Sequence, residues 1–353
     1  MKNNMVYIII LVWNGKKYLS KLFSSLANLD YPKDKYKILV LDSGSTDGSR
    51  DYLRDLNDRQ IIKLIELKKN LGFTGGNNLG MQHALKNKAK YIFLLNQDTF
   101  VKPDFLTELI KTAETDKKIG IVQSLTMHYN NPDKIQSLGN QLHYLGYGWS
   151  GGNWLPQDTP KFENEAKKMV YASGAAVLYT AQMLNEIGLF DENFFAYHED
   201  SDICLRAKLR GYKVVLAPKS IVYHDYDFAP DKNKLRYYWN ERNRIYLILK
   251  NYSCKTILLI IPMMLAMDLG QLIFAIKKGY TWEWLKARLW IKFNLYKVLK
   301  VRHLVQKNRQ ISDKELMHNF ASEIKYQSVK KFLLDKIGNP ILKAYWNLIK
   351  KII

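Results

Sequence analysis

Three carboxylates lie within four positions of one another, at Glu199, Asp200 and Asp202. Neighbouring carboxylates repel each other when ionised, so the cluster predicts a task such as binding a cation, pairing with an arginine or accepting a proton. The same residues also fit an ordinary helix start, because the positive end of the helix dipole favours acidic side chains in the first turn. These residues alone support a functional site and an acidic helix start equally.

A second acidic position follows the apolar run 91–95, where the chain reads Asn96-Gln97-Asp98. Ligands of open α/β sheets bind at the carboxyl ends of the strands, where one carboxylate can hold a divalent cation that also binds a diphosphate. The alternative is a turn-forming aspartate ahead of Pro103. Asp98 is therefore a candidate metal ligand at a sheet edge.

The elements that must position these residues alternate between strands and helices. Apolar runs at 6–12, 38–41, 61–67 and 91–95 predict strands, and helical spacing at 18–29, 49–56, 76–85 and 105–113 predicts helices. This order predicts an α/β fold with a mainly parallel, Rossmann-like sheet and flanking helices.

Two loops of this α/β region have ligand-binding character. Asp42 ends the second strand, where a carboxylate can accept hydrogen bonds from a base or a ribose. The glycine-rich loop 70–77 lets the backbone approach a ligand closely. It lacks the G-x-G-x-x-G order of a dinucleotide site, which disfavours an NAD-dependent oxidoreductase.

Basic residues are concentrated in the last third of the chain. The 353 residues carry a net charge of +21, and residues 231–353 contain 25 Lys and Arg against 8 Asp and Glu. A domain boundary is therefore expected near Pro230, with a catalytic region at 1–230 and a basic, helical, membrane-associating region at 231–353. No nucleic-acid-binding motif accompanies the basic region, so no nucleic-acid partner is expected. A helical bundle with a solvated basic face is the structural alternative.

Residues 257–276 form an apolar segment interrupted by Asp268 and flanked by Lys255, Lys277 and Lys278. A charge inside lipid is costly, whereas flanking lysines suit a helix that lies on an anionic leaflet. We expect a peripheral or monotopic helix, with a spanning helix as the alternative.

The two cysteines lack metal or disulfide spacing, and the amino terminus reads as a strand, so a cytosolic location is expected.

Taken in order, the motifs at 14–15, 42–48, 70–78, 96–98, 173–175, 190–192 and 198–202 resemble the family 2 glycosyltransferases, especially the rhamnosyltransferase-like members. The resemblance covers about residues 1–250. It implies the GT-A fold, with a nucleotide-sugar-binding half at 1–100 and an acceptor half at 101–230.

The resemblance also implies an activity. An inverting enzyme of this kind transfers a sugar, with rhamnose as one candidate, from a nucleotide-diphosphate donor to a lipid-linked or nascent surface polysaccharide at the cytoplasmic face of the cell membrane. The family's metal motif has an acid where this chain has Asn96. This departure keeps open a second hypothesis, a catalytically inactive nucleotide-sugar-binding module at the membrane.

The resemblance assigns roles residue by residue. Asp200 corresponds to the general base, and Glu199 and Asp202 are expected to orient it and the acceptor. Asp98 and His224 are the implied ligands of Mg²⁺ or Mn²⁺, although His224 also fits a buried or capping histidine. The implied donor-binding residues are Asn14, Asp42, Asn70, Gly72, Gly76, Asn77, Gln97 and Asp98.

Three further residues are candidates for the acceptor side. Gly174 lets an acceptor lie close to the backbone, or else it is a small residue at the start of a buried strand. Trp149 and Trp154 flank or lie in a glycine-rich stretch and are candidates for stacking on a sugar face. Loop tryptophans serve equally often as packing residues.

Overall fold

The computed structural model describes residues 5–225, 234–325, 332 and 334–353. The chain divides into two compact units. The first contains Met1–Asn140, Ser150–Ala207 and Tyr212–Asp227, and the second contains Gln141–Trp149, Lys208–Gly211 and Phe228–Ile353. The boundary predicted near Pro230 lies outside the described residues.

The first unit is an α/β structure. Its strands are β1 (Val6–Val12), β2 (Tyr36–Asp42), β3 (Lys63–Glu66), β4 (Tyr91–Asn96), β5 (Thr99–Val101), β6 (Ile119–His128), β7 (Ile135–Ser137), β10 (Ala176–Thr180) and β11 (Lys213–His224). Its helices are α1 (Lys16–Ala27), α2 (Ser49–Asp58), α3 (Gly72–Lys86), α4 (Phe105–Glu114), α5 (Phe162–Ala166), α6 (Ala181–Ile187) and α7 (Glu199–Leu209).

Within the described residues these nine strands form one sheet in the order β3-β2-β1-β4-β10-β6-β11-β5, with β7 attached to β6. The segment β3-β2-β1-β4 is parallel throughout, as the βαβ pattern predicts. β10 then runs antiparallel to both β4 and β6, and β5 runs antiparallel to β11. The predicted α/β fold is confirmed. The second half of its sheet is mixed, since β6 and β11 pair in parallel while β10 and β5 run antiparallel to their neighbours.

The sheet is buried on both faces, which explains the continuous apolar runs of its inner strands. All of β1 except Leu11 is buried. Helix α3 packs very closely on the sheet: a Cβ at Gly80 would lie 2.7 Å from Ile9 Cγ2, and one at Gly76 would lie 2.5 Å from Leu11 Cδ1. The helix predicted to open at Gly76 begins four residues earlier, at Gly72.

The second unit is mainly helical. It contains α8 (Lys234–Asn251), α9 (Cys254–Lys278), α10 (Thr281–Phe293), α11 (Leu295–Lys307), α12 (Asp313–Leu316) and α13 (Asn339–Ile349). The short strands β8 (Asn140–Leu142) and β9 (Gly148–Ser150) pair with each other and form a separate two-stranded sheet. Among the described residues, α9 is the one helix long and apolar enough to cross a membrane.

Candidate active site

The carboxyl ends of β2 and β4 meet beside β1. Val12 pairs with Asp42 on one side, and Leu11 pairs with Asn96 on the other. Because all three strands are parallel, the loops that follow them emerge at the same sheet edge. The two acidic positions predicted after β2 and β4 therefore belong to one edge.

The loops after β1 and β2 are tied together through short polar side chains. The Thr46 N–H donates to Asn14 Oδ1 (2.8 Å), and the Asn14 N–H donates to Ser45 Oγ (3.0 Å). Asn14 adopts a positive φ of 48°, which asparagine tolerates better than most residues. Asn14 thus shapes this loop, and its donor-binding role stays a prediction.

Asp42 is fully buried and already has a cationic partner. Its Oδ2 accepts hydrogen bonds from Arg50 Nε (2.9 Å) and Nη2 (2.7 Å). This ion pair was not predicted from the sequence, although an arginine in the first turn of α2 is an unusual choice for a helix start. Arg50 neutralises the carboxylate that is predicted to contact the base.

Gln97 joins the end of β4 to the end of β1. The Trp13 N–H donates to Gln97 Oε1 (2.9 Å), and Gln97 Nε2 donates to the Trp13 carbonyl (3.2 Å). A Cβ at Gly15 would lie 2.3 Å from Gln97 Oε1, so this clamp requires a glycine. Gln97 thus holds the backbone of the edge in place, a role the sequence analysis did not assign.

The residues of the glycine-rich loop form the first turns of α3. Asn70 Oδ1 accepts the Gly72 N–H (2.8 Å), and Gly72 has a φ of +73° that favours glycine. Asn77 Nδ2 donates to the Phe73 carbonyl (2.9 Å), and the residue is 2% exposed. Gly76 packs against Leu11 and Asn77 is buried in the helix, so both have packing roles, and their donor-binding role stays a prediction.

Asp98 and His224 lie together, although 126 positions separate them. The antiparallel pairing of β5 with β11 sets Thr99 opposite His224. His224 Nε2 is 3.2 Å from Asp98 Oδ1, and both side chains are mostly buried. On its other side, His224 Nδ1 is 2.7 Å from Gln136 Oε1.

These contacts are compatible with a cation bound by the two side chains. Gln136 Nε2 donates to the His224 carbonyl, which directs Oε1 toward the ring, so Nδ1 carries the hydrogen. Nε2 then faces Asp98 either as a protonated N–H or as a lone pair that a metal can accept. Adjacent ligands of an octahedral Mg²⁺ site lie about 3.0 Å apart, which matches the observed separation. The Asp98–His224 pair therefore fits a divalent ion.

No group of three or more histidine, cysteine, aspartate or glutamate side chains suited to a metal occurs in the described part of the chain. Two protein ligands leave most of the coordination sphere to other oxygen atoms. Mg²⁺ commonly binds in this way, through one or two side chains together with substrate phosphates.

Asp200 lies at the start of α7 and is held by backbone donors. The Ser201 N–H donates to Asp200 Oδ1 (2.7 Å), and the Gly174 N–H approaches Oδ2 (3.4 Å). The next residue, Ala175, accepts the Asn96 N–H through its carbonyl (2.9 Å). Asp200 is thus connected through two adjacent residues to the strand end that leads to Asp98.

Burial raises the pKa of the Asp200 carboxyl to about 6, although the backbone donors at Ser201 and Gly174 oppose the change. Burial, and next the charge of Asp200, raise the pKa of Glu199 well above its ordinary value. Glu199 Oε2 is buried without a hydrogen-bond partner. The adjacent carboxyls therefore favour a neutral Glu199 beside an Asp200 that exchanges its proton near neutrality.

Asp202 has a different environment. It is fully buried, and its Oδ2 accepts a hydrogen bond from Arg206 Nε (2.8 Å). Arg206 also donates to the carbonyls of Ile187 and Leu189, at 2.6 and 2.7 Å. The Asp202 side chain is enclosed and, through Arg206, fixes the segment before α7; its role in orienting an acceptor stays a prediction.

The segment that leads into α7 is strained. Phe195, Tyr197 and His198 all have positive φ values, between 63° and 68°. The Thr74 N–H donates to the Phe195 carbonyl (3.1 Å), and a Cβ at Gly72 would lie 2.6 Å from the Phe195 ring. Residues in this conformation are costly and concentrate at functional sites. Helix α3 thus supports the strained segment that positions Asp200.

The candidate acceptor-side residues lie in different units. Gly174 is in the first unit, where its N–H faces Asp200 and a Cβ would lie 3.1 Å from the Phe73 ring. Gly174 therefore positions the carboxylate directly. Trp149 is a half-buried residue of β9 and belongs to the second unit.

The comparison with known families is specific. The sequence model described as "Glycosyl transferase family 2" matches residues 7–188, more than half of the chain. The chain belongs to glycosyl transferase family 2. The matched range contains the β1, β2 and β4 edge and Asp98, and it ends before Asp200 and His224.

Curated relatives of this family 2 chain include the rhamnosyltransferase WbbL of Escherichia coli K12. It is 26% identical over 249 residues, which are 65% of this chain and 86% of WbbL. The chain spans only 34% to 61% of the lengths of several other curated relatives.

Solved structures show the GT-A fold. Staphylococcus aureus TarS 1-349 in complex with UDP-GlcNAc superposes with a TM-score of 0.56 at 17% identity, over 90% of this chain and 89% of TarS 1-349. The mannosyltransferase PcManGT from Pyrobaculum calidifontis, in complex with GDP-Man and Mn²⁺, has a TM-score of 0.50 at 16% identity. The alignment covers 97% of this chain and 86% of PcManGT.

Proposed function

We propose that this protein is an inverting glycosyltransferase that moves a sugar from a nucleotide-diphosphate donor to a lipid-linked or nascent surface polysaccharide. Asp200 carries the proposal: it is a buried carboxylate with a pKa raised to about 6, anchored beside the strand end that leads to Asp98. Family membership and the relative named a rhamnosyltransferase support the reaction class, with rhamnose as the first sugar to test.

Asp200 serves as the general base in this proposal. A sugar hydroxyl is too weakly acidic to attack unaided, and a carboxylate within hydrogen-bond reach accepts its proton as the new bond forms. A base with a pKa near the working pH combines a usable ionised fraction with adequate basicity. Gly174 and Ser201 hold the carboxylate in place through their N–H groups.

Asp98 and His224 are the proposed ligands of a divalent cation, Mg²⁺ or Mn²⁺. Such an ion neutralises the charge that develops on the departing diphosphate. Gln136 fixes the orientation of the His224 ring and leaves Nε2 directed at Asp98. Asn96 replaces the first acid of the family's metal motif and supplies only a neutral amide. More of the metal binding then depends on Asp98 and His224.

An inactive nucleotide-sugar-binding module is the second candidate, favoured by Asn96 and by the Arg50 ion pair that neutralises Asp42. Two measurements distinguish the candidates. Thermal shift with UDP, dTDP and GDP, with and without Mn²⁺, reports donor-site binding. Release of nucleoside diphosphate from dTDP-rhamnose, UDP-GlcNAc and GDP-mannose, in the presence of methyl glycosides, reports turnover.

Asp200→Asn should retain the nucleotide response and reduce turnover by at least 100-fold. Asp55→Asn, which changes an exposed carboxylate paired with Arg59, is the matched control and should keep full turnover. Nucleotide binding without turnover of any donor supports the inactive module. Turnover that survives Asp200→Asn contradicts the assigned base.

We further propose that α9 lies in the plane of an anionic leaflet at the cytoplasmic face of the membrane. Its exposed large side chains follow one stripe, Leu258, Ile261, Leu265, Leu269, Ile273 and Ile276. Its other side contacts neighbouring helices of the same unit: Asp268 pairs with Arg288, and the Gln271 backbone carbonyl accepts a hydrogen bond from Tyr237 Oη. The exposed apolar side chains thus lie on one side only, and the acidic Asp268 is held by an arginine, which suits an interfacial helix better than a spanning one.

Flotation with phosphatidylglycerol vesicles tests this placement. Leu265→Asp should lose most vesicle binding, while Ile61→Asp, an equivalent change at an exposed position of the first unit, should not. An alkaline carbonate wash should release the bound protein. Retention after the wash would support a spanning α9 instead.

A further inference from the structure

An exposed tryptophan of the first unit is held in an unusual conformation. Trp154 is 55% exposed, and its backbone has a φ of +65°. Scattered exposed aromatic residues are ordinary, but a positive φ is unfavourable for a bulky side chain. The fold therefore keeps a costly backbone conformation at a residue that has more than half of its surface in solvent.

The ring and backbone of Trp154 are fixed in place. Its indole stacks on the His128 ring, with centroids 4.1 Å apart and planes 23° apart. His128 Nε2 donates to Asn153 Oδ1 (2.8 Å), and the Trp154 N–H donates to the Ile135 carbonyl (2.8 Å). One face of the indole is thus covered by the imidazole, and the rest of the exposed ring is preorganised at low entropic cost.

The position of this ring relates it to the candidate active site. His128 ends β6 and pairs in register with His224, the proposed metal ligand at the end of β11. Adjacent strands lie about 4.8 Å apart and the indole stacks 4.1 Å from the His128 ring, so the Trp154 ring lies within roughly 9 Å of the His224 ring. The edge near Asp42, where the donor base is expected, is on β2, four strands from β6 in the sheet order. This separation is about 19 Å, too far for Trp154 to stack on that base.

We propose that Trp154 is a stacking platform for a pyranose ring of the acceptor glycan. The apolar C–H face of a pyranose packs on an aromatic ring through dispersion and burial of apolar surface. This inference rests on the proposed transferase function, since it takes the Asp98–His224 pair as the point where the donor diphosphate binds. Trp154 then selects for acceptors that present such a face near the site of transfer.

Saturation-transfer difference NMR with the methyl glycosides of rhamnose, N-acetylglucosamine, mannose and glucose tests the platform. In the wild-type protein, at least one glycoside should show saturation concentrated on one ring face. Trp154→Gly should weaken that signal at least tenfold, whereas Trp154→Tyr, which keeps a flat ring, should retain most of it. Glycine suits a positive φ, so Trp154→Gly removes the ring without adding backbone strain.

A thermal shift with the preferred nucleoside diphosphate and Mn²⁺ is measured on the same variants. It should be equal in wild type and Trp154→Gly. Absence of a glycoside signal in the wild type, or an unchanged signal in Trp154→Gly, overturns the platform. Glycoside binding that depends on Trp154 without any nucleotide response would instead refute the proposed transferase function, and the ring would then bind a sugar that is not an acceptor.

Discussion

Replacing the proposed base should make the first unit more stable. Asp200→Asn removes a carboxyl whose burial raises its pKa from 3.8 to about 6. At pH 7.5 the wild-type carboxylate is ionised in both the folded and unfolded states, and the folded state bears the cost of the buried charge. The neutral amide has almost the same shape and avoids that cost.

The magnitude follows from the change in pKa. A difference of about two pKa units corresponds to about 3 kcal/mol of unfolding free energy. The amide loses one acceptor, since its NH₂ group faces the Gly174 N–H, and this costs about 1 kcal/mol. The net gain of about 2 kcal/mol should raise the melting temperature by roughly 4–8 °C for a unit of this size.

The pH dependence gives the sharper test. Below the unfolded pKa of about 3.9, Asp200 is protonated in both states and imposes no cost. Between that pH and about 6 the unfolded chain ionises first, so the stability of the wild type falls relative to Asp200→Asn. Above pH 6 the difference is complete. Melting curves of both proteins should therefore converge as the pH is lowered from 7.5 to 4.5.

Asp55→Asn is the reference, because its exposed carboxylate should give less than about 0.5 kcal/mol at any pH. Equal melting temperatures for wild type and Asp200→Asn at pH 7.5, with no convergence at low pH, would show that Asp200 bears no buried charge. The reasoning that assigns it the role of base would then lose its electrostatic support.

Three other outcomes are expected. Turnover should rise with pH and reach half of its plateau near pH 6, since Asp200 must be ionised to accept a proton; a half-point near pH 4 would contradict the raised pKa. Gln136→Leu should release the His224 ring and so raise the Mn²⁺ concentration at the midpoint of the nucleotide thermal shift roughly tenfold. An unchanged Mn²⁺ midpoint would argue against this site. Gly80→Ala should destabilise the protein by about 1–3 kcal/mol through overpacking against Ile9, which chemical denaturation would measure; unchanged stability would show that α3 can move away from the sheet.

The first half of the fold was predictable from sequence, because its strands are continuous apolar runs separated by amphipathic helices. The predicted strand 91–95 is β4 (Tyr91–Asn96), and the predicted helix 105–113 is α4 (Phe105–Glu114). The mixed second half was not predictable in this way. Its strand directions depend on pairings between distant segments, such as β10 with both β4 and β6, which leave no periodic signal.

The site shows the same division. Ordered motifs that resemble a family pointed to Asp98, Asp200 and His224, and the structure brings Asp98 within 3.2 Å of His224. The partners of the site, Arg50 and Gln136, were missed. Each makes its contact only in the folded structure. Its separation along the chain from Asp42 or His224 matches no sequence motif.

The place of β10 in the sheet bears on how the chain acquires its structure during synthesis. β4 and β6 follow each other closely in sequence, yet they are not neighbours in the sheet, because β10 lies between them. A nascent chain that has passed residue 128 holds the group β3-β2-β1-β4 and the strand β6, whose partners β7, β10 and β11 all come later in the chain. They can join only when residues 176–180 have emerged, and long-range closure of this kind is slow. Until that point the edges of β4 and β6 stay open, so the unfinished chain is most exposed to aggregation while its central strand is still being made.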